Sequence, residues 1–293
     1  MKALLYRVAL GSMRLFAPWP LPWVRAAGRL FGAALWHLAR SRRQVVRTNL
    51  ALCMPQLKPA QREALARAVF VAFAQAWLDR GWLWHAPASC LRQRLQLDGD
   101  LSSLQGDQPV VFFAPHFFGL DAAWTALTLH GARRCCTIYS HQKHPAVDAW
   151  MLRGRARFGS PRLFGRHDGM RSIVATLREG GALYLLPDMD LGAEDSLFVP
   201  FFGVPAATVP SLSRLARLGG AVVVPVLARM TPTGYEVRLL PAWKDFPGAD
   251  LQADTLRMNC ELEQWVREMP AQYYWVHRRF KSRPAGEPSP YAD

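Results

Sequence analysis

Four short apolar runs alternate with helix-patterned stretches through the middle of the chain. They are PVVFFAP (109–115), CCTIYS (135–140), GALYLLPD (181–188) and AVVVPVLARM (221–230). PVVFFAP, bounded by turn residues, and GALYLLPD read as buried strands, and CCTIYS and AVVVPVLARM as two further strands. Helix patterns at 118–130, 145–158 and 212–220 fall between them, and 251–269 reads as a late helix. GYEVRLLPA (234–242) offers a fifth strand. Strands alternating with helices imply an α/β architecture with helices on the faces of a sheet.

The first 90 residues differ. VRAAGRLFGAALWHLA (24–39) has Arg25 and Arg29 on one face and Phe31, Leu35 and Leu38 on another. SRRQVVRTNLALCMP continues helically until Pro55, and 59–85 carries a further helix. The fold class expected is therefore α/β: a mostly helical N-terminal segment, then a mixed sheet flanked by helices. Three parts are expected: a basic amphipathic membrane-interface segment at 1–39, one domain at 40–284 and a loose Pro-rich tail at 285–293.

Charge narrows the partners. Lys plus Arg total 36 against 22 acids, a formal charge of +14. Eleven bases precede the first acid, Glu63, with Trp19, Trp23 and Trp36 among them. Uncharged runs of about ten residues do not span about 30 Å of hydrocarbon. Interleaved bases and aromatics instead suit a segment lying in an anionic membrane interface. No recognised nucleic-acid motif accompanies the basic charge, so no nucleic-acid partner is expected. The five cysteines form no C-x-x-C pair, and HQKH (141–144) lacks further ligands, so no metal site is expected.

Three segments could carry chemistry. In HFFGLD (116–121), His116 stands where a strand turns into a helix, the edge at which open α/β sheets bind ligands. Asp121 follows in the early helix and could hold one ring nitrogen of His116, leaving the other to take a proton. LRGRARFG (152–159) places Arg153, Arg155 and Arg157 at alternate positions, with Arg166 beyond, and guanidiniums suit phosphate or a charged carbonyl oxygen. LLPDMDLG (185–192) ends a strand in Asp188 and Asp190, ahead of the apolar FVPFFGVPAAT (198–208). Nucleophile elbows, P-loops and dinucleotide fingerprints are absent from the sequence.

HFFGLD fits the H-x4-D/E signature of glycerolipid-type acyltransferases. With RRQVVRTNLALCMP (42–55), LRGRARFG, LLPDMDLG, FVPFFGVPAAT and QYYWVHRRFKSRP (272–284), the chain resembles bacterial late acyltransferases of lipid A biosynthesis from about residue 40 to 284. That resemblance implies an enzyme at the cytoplasmic face of the bacterial inner membrane. It implies transfer of a fatty acyl group from acyl carrier protein, or from coenzyme A, to a hydroxyl of a lipid A precursor. The acyl thioester is a co-substrate, and no cofactor is implied. By resemblance His116 is the general base and Asp121 orients it. Arg155 stabilises the thioester oxygen, Arg157 and Arg166 hold phosphate, Asp188 closes the site or orients an arginine, and Asp190 stands with the substrate-binding residues. Asp121 stands where many relatives carry Glu. Two alternatives remain at this level: the same chemistry on another lipid, such as an aminolipid, or a non-enzymatic basic membrane-binding protein.

Overall fold

The computed structural model describes residues 2–131, 133–165 and 168–291, with the side chains of 2–5 and 7 left aside. Helix α1 (Lys2–Ser12) leads through a short 3-10 turn into α2 (Leu21–Leu38), which starts at a Pro-bearing first turn suited to a helix N-terminus. Helices α3 (Arg40–Cys53), α4 (Pro59–His85) and α5 (Ala88–Arg94) follow. The rest is α/β: β1 (Leu95–Gly99), β2 (Val110–Phe113), α6 (Leu120–His130), β3 (Cys135–Tyr139), α7 (Pro145–Arg155), β4 (Arg162–Gly165), α8 (Met170–Arg178) and β5 (Ala182–Leu185). A two-stranded hairpin, β6 (Leu197–Phe201) and β7 (Val204–Thr208), precedes α9 (Ser211–Gly219), β8 (Val222–Thr231), β9 (Gly234–Leu239) and α10 (Leu251–Glu268).

The main sheet has the order β1-β9-β8-β2-β5-β3-β4. All neighbouring pairs are parallel except β8 with β9. β2 and β5 are buried along their whole length, as strands covered on both faces must be. One apolar cluster on one face joins α3, α4, α9 and α10. A second, on the other face, joins α2, α4, α6 and α7.

α4 thus serves both cores, and α2 is seated directly on it. Gly28 and Gly32 of α2 make this approach possible. A Cβ at Gly28 would lie 2.6 Å from Gln75 Cγ, and one at Gly32 would lie 2.7 Å from Val71 Cα. Arg25 is buried too, 3.0 Å from Asp79, whose carboxylate also accepts from Tyr235 Oη and Trp82 Nε1. The boundary expected at 39/40 is therefore no break in packing, and Arg25 belongs to the interior rather than to a solvated basic face.

The tail also departs from expectation. Tyr291 is buried, its hydroxyl donates to Asn49 Oδ1 and accepts from the backbone N–H of Phe280. The apolar FVPFFGVPAAT forms most of the β6–β7 hairpin. Phe201 is fully buried and packs on Tyr273 and Phe280. The expected strands at 109–115, 135–140, 181–188 and 234–242 are present but shorter, and the one at 221–230 forms over Val222–Thr231. β1, β4 and α8 were not expected.

Candidate active site

The register of two parallel strands builds the centre of the site. Phe113 of β2 pairs with Leu185 of β5. Three residues beyond each partner, His116 and Asp188 face one another at the C-terminal sheet edge. His116 Nδ1 lies 2.7 Å from Asp188 Oδ1, and the backbone N–H of His116 donates to both carboxylate oxygens at 3.2 and 3.0 Å. Asp188 is fully buried. Burial raises a carboxyl's pKa, but the His116 ring, its backbone N–H and Arg279 outweigh that and hold Asp188 below the usual carboxylate range. A carboxylate on Nδ1 fixes the proton there and leaves the Nε2 lone pair free.

Asp121 does not orient His116, contrary to expectation. It sits in the first turn of α6, where the helix turns it towards α4 and α7. Arg80 Nε donates to Asp121 Oδ2 and Arg155 Nε to Oδ1, both at 2.8 Å. Asp121 is buried. Burial pushes it up, but the Arg155 and Arg80 charges and their hydrogen bonds bring it below its ordinary value.

The other predicted residues scatter. Arg155 lies beside α6, where Trp124 Nε1 donates to its carbonyl at 2.8 Å. Arg157, past the end of α7, donates to the carbonyl oxygens of Leu83 and Ala86 and is thereby built into the α4 terminus. Arg166 lies outside the described residues. Asp190 is buried and accepts from Gly192 N, Ser282 N and Ser282 Oγ, which makes it the clamp of the 282 loop rather than a substrate ligand. His141 and His144 are also occupied: His141 pairs with Asp148 Oδ2, and His144 caps α7 through the Ala146 N–H. Among the described residues no group of three or more His, Cys, Asp or Glu could hold a metal ion.

Residues outside the predicted set complete the site. Tyr274 donates its backbone N–H to the His116 carbonyl at 3.0 Å, and its ring lies 6.0 Å from the imidazole. His277 Nε2 accepts the backbone N–H of Asp190 at 3.1 Å. Burial, then the charges of Arg279 and His116, lower His277 to about 4, so it is neutral near pH 7. Both residues belong to QYYWVHRRFKSRP, a segment whose chemistry was not read from the sequence. The available signal was a lone histidine, His277, directly after the aromatic run YYWV.

A cavity of about 310 Å³ opens beside these groups, lined by Leu35, Ala39, Arg42, Phe70, Phe73, Met189, Tyr274, Val276 and His277. That is the low end of small-ligand pockets, roughly 300–1,000 Å³. The two phenylalanines after His116 divide. Phe117 is buried against Tyr273 in the core, whereas Phe118 packs on Phe73 and Tyr274 and backs the cavity wall. The buried thiols do not compete as nucleophiles: burial raises Cys53, Cys135 (to about 11) and Cys136 (to about 12), so none of the three is a thiolate near neutrality.

The profile of the family described as bacterial lipid A biosynthesis acyltransferase matches residues 2–282. The lipid A biosynthesis palmitoleoyltransferase of Escherichia coli (strain K12) is 31% identical over 289 residues, covering 96% of this chain and 92% of the relative. A lipid A biosynthesis acyltransferase of Haemophilus influenzae is 32% identical over 271 residues, covering 90% and 83%. Among solved structures, the 1-acyl-sn-glycerophosphate acyltransferase PlsC of Thermotoga maritima aligns at a TM-score of 0.38 and 11% identity, over 80% of this chain and 98% of that one.

Proposed function

The chain belongs to the bacterial lipid A biosynthesis acyltransferase family, and from that premise we propose that it moves a fatty acyl chain from an acyl-carrier-protein or coenzyme A thioester directly onto a hydroxyl of a lipid A precursor. The observation that carries the reading is the His116–Asp188 pair, next to which Tyr274 and Met189 line a largely apolar cavity. The acceptor hydroxyl gives its proton to His116 Nε2 as its oxygen attacks the thioester carbonyl carbon. The C–S bond then breaks and the thiolate takes the proton back from His116. Asp188 holds the ring and stabilises the imidazolium that forms in between.

The cavity takes the acyl chain against Phe70, Phe73 and Val276. The Arg80–Asp121–Arg155 cluster carries one net positive charge beside the site and draws anionic groups of the substrates. Exposed Arg40, Arg42, Arg47 and Arg67 give the acidic carrier a basic face near the cavity.

The same reading places the protein on the cytoplasmic face of the bacterial inner membrane. Among the described residues, eight of the thirteen exposed large apolar side chains fall within the first 38 residues, and Trp23, Leu30 and Leu38 are 68%, 76% and 79% exposed. No helix among the described residues is long and apolar enough to cross a membrane. The N-terminal helices therefore lie on the lipid surface.

Purified protein incubated with acyl thioester and lipid A precursors should yield acylated lipid by mass spectrometry. His116→Ala should lower the rate at least about a hundredfold, as for loss of a general base. Absence of product from the unaltered protein with every precursor would sink the reading. Replacing Trp23, Leu30 and Leu38 together with Ser should release the protein from anionic vesicles in co-sedimentation while leaving its fold intact. Unchanged partitioning would remove the membrane assignment.

A further inference from the structure

The transfer needs a donor for the thioester carbonyl oxygen as negative charge gathers there. Arg155, the candidate from sequence, is held on Asp121 through its Nε and does not line the cavity. We propose that the Nδ1–H of His277 is that donor, a role that rests on the acyl-transfer reading above. A backbone N–H can only donate, so the Asp190 N–H on Nε2 fixes that nitrogen as the acceptor. A neutral His277 then carries its proton on Nδ1. Among the described residues Nδ1 makes no hydrogen bond to protein, and His277 lines the cavity.

Placement agrees. Asp188 holds the ring of His116 and the backbone of Asp190 holds the ring of His277. The two anchors are two residues apart, their Cα atoms at most about 7 Å from each other. The 274–277 turn ties them again: Tyr274 N donates to the His116 carbonyl, and His277 N donates to the Tyr274 carbonyl. A carbonyl carbon approached by a hydroxyl on His116 Nε2 would thus have its oxygen on the His277 side. Burial and the Arg279 charge keep His277 neutral, so it donates a hydrogen bond without releasing or taking a proton. During the step the C–O bond forms and the C–S bond breaks. The proton moves from hydroxyl to His116 to thiolate, and His277 is unchanged at the end.

Two variants test this. In His277→Gln the side-chain oxygen can still accept the Asp190 N–H, but the Nδ1 donor is gone. In His277→Asn the amide N–H stands in for Nδ1–H and the Asp190 contact is lost. With acyl thioester and lipid precursor, His277→Gln should lower kcat about a hundredfold with KM within about twofold. His277→Asn should recover at least a tenth of the original kcat. A trifluoromethyl ketone analogue of the thioester, whose hydrate mimics the tetrahedral oxyanion, should bind His277→Gln about a hundredfold more weakly. A thioether analogue of the ground state should bind both forms alike. A His277→Gln enzyme within about threefold of the original kcat would overturn the assignment. So would an equal loss of affinity for both analogues, which is the mark of a distorted cavity. Either result with an active unaltered enzyme leaves the acyl-transfer reading standing. An inactive unaltered enzyme overturns both.

Discussion

Two buried aspartates flank the same strand-to-helix turn and are used in opposite ways. Asp188 spends its charge on a histidine and two N–H contacts of that histidine. Asp121 spends its charge on two guanidiniums, Arg80 and Arg155. Both carboxyls are held below their ordinary range, so ionisation does not distinguish them. Their partners do. The partner of Asp188 is an imidazole, whose second ring nitrogen can accept a proton, whereas the partners of Asp121 are guanidiniums, which only donate hydrogen bonds. Asp188 therefore belongs to proton transfer, and Asp121 to the electrostatic frame around it.

The largest expected effect follows from breaking the first. Asp188→Asn keeps the shape but replaces an acceptor by an amide, which favours the wrong tautomer of His116. kcat should fall about a hundred- to ten-thousandfold with a weakened dependence on pH across the histidine range. Steady-state rates between pH 5.5 and 9 measure this. A variant keeping both rate and pH profile would return the orienting role to Asp121.

Asp121→Ala should act mainly on stability. It leaves two largely buried guanidiniums without their anion, at a cost of about 3–5 kcal/mol, read as a lower urea midpoint. The surviving folded enzyme should keep the pH profile of the original, because His116 keeps Asp188. Asp121→Glu, which preserves the charge, should recover most of the loss. If Asp121→Ala instead reshaped the pH profile, the division between the two aspartates would fail.

How much of this was legible from sequence depends on whether a feature is local. α4 was expected at 59–85 and forms over Pro59–His85, because its apolar spacing, proline start and length are all written in one stretch. His116 was legible as the residue after a buried strand. Its pairing was not. The sequence offered the nearest downstream acid, five residues away. Sheet order offered an acid seventy-two residues away by setting β5 beside β2. Strand neighbours are a long-range outcome of packing, and local periodicity carries no trace of them. The same limit explains β4: RLFG is a four-residue edge strand with a charged first residue and a glycine last, too short for any pattern. Tyr291 shows the converse error. A Pro-rich, polar tail reads as loose, yet one tyrosine reaching Asn49 pins it.

Acid sharpens the contrast between the aspartates and their histidine neighbour. His277 has a folded value of about 4 against 6.5 ordinarily. Its folded value is depressed, so the unfolded chain takes up a proton first as pH falls. Stability is thus fully present above about 6.5 and is lost progressively towards pH 4, by up to about 3 kcal/mol. The two aspartates, also depressed, lose their contribution only lower, as pH falls from the ordinary carboxylate value near 3.9 through their folded values. Urea melts of the unaltered protein should therefore weaken between pH 7 and 5, and His277→Gln should flatten that decline. A decline of equal size in the variant would mean that another group drives it.

The smallest effect on activity is expected at Arg157, and it tests the electrostatic side of the comparison. Arg155 is the last residue of α7 and Arg157 lies beyond its end, so Arg157 does not follow Arg155 to Asp121. Arg157 instead donates to the carbonyls of Leu83 and Ala86, closing the end of α4. Removing it leaves those carbonyls without their donor, which should cost about 1–3 kcal/mol. Arg157→Ala should therefore lower the urea midpoint while kcat per folded enzyme stays within about twofold. Arg155→Ala should do the reverse in emphasis, because it leaves Asp121 with only Arg80 and removes the net positive charge beside the site. Weaker binding of the anionic substrate, read as a raised KM, should dominate there. A tenfold fall in kcat for Arg157→Ala at an unchanged midpoint would put Arg157 back among the groups that touch substrate. The arginine segment would then act as a unit rather than dividing at the end of α7.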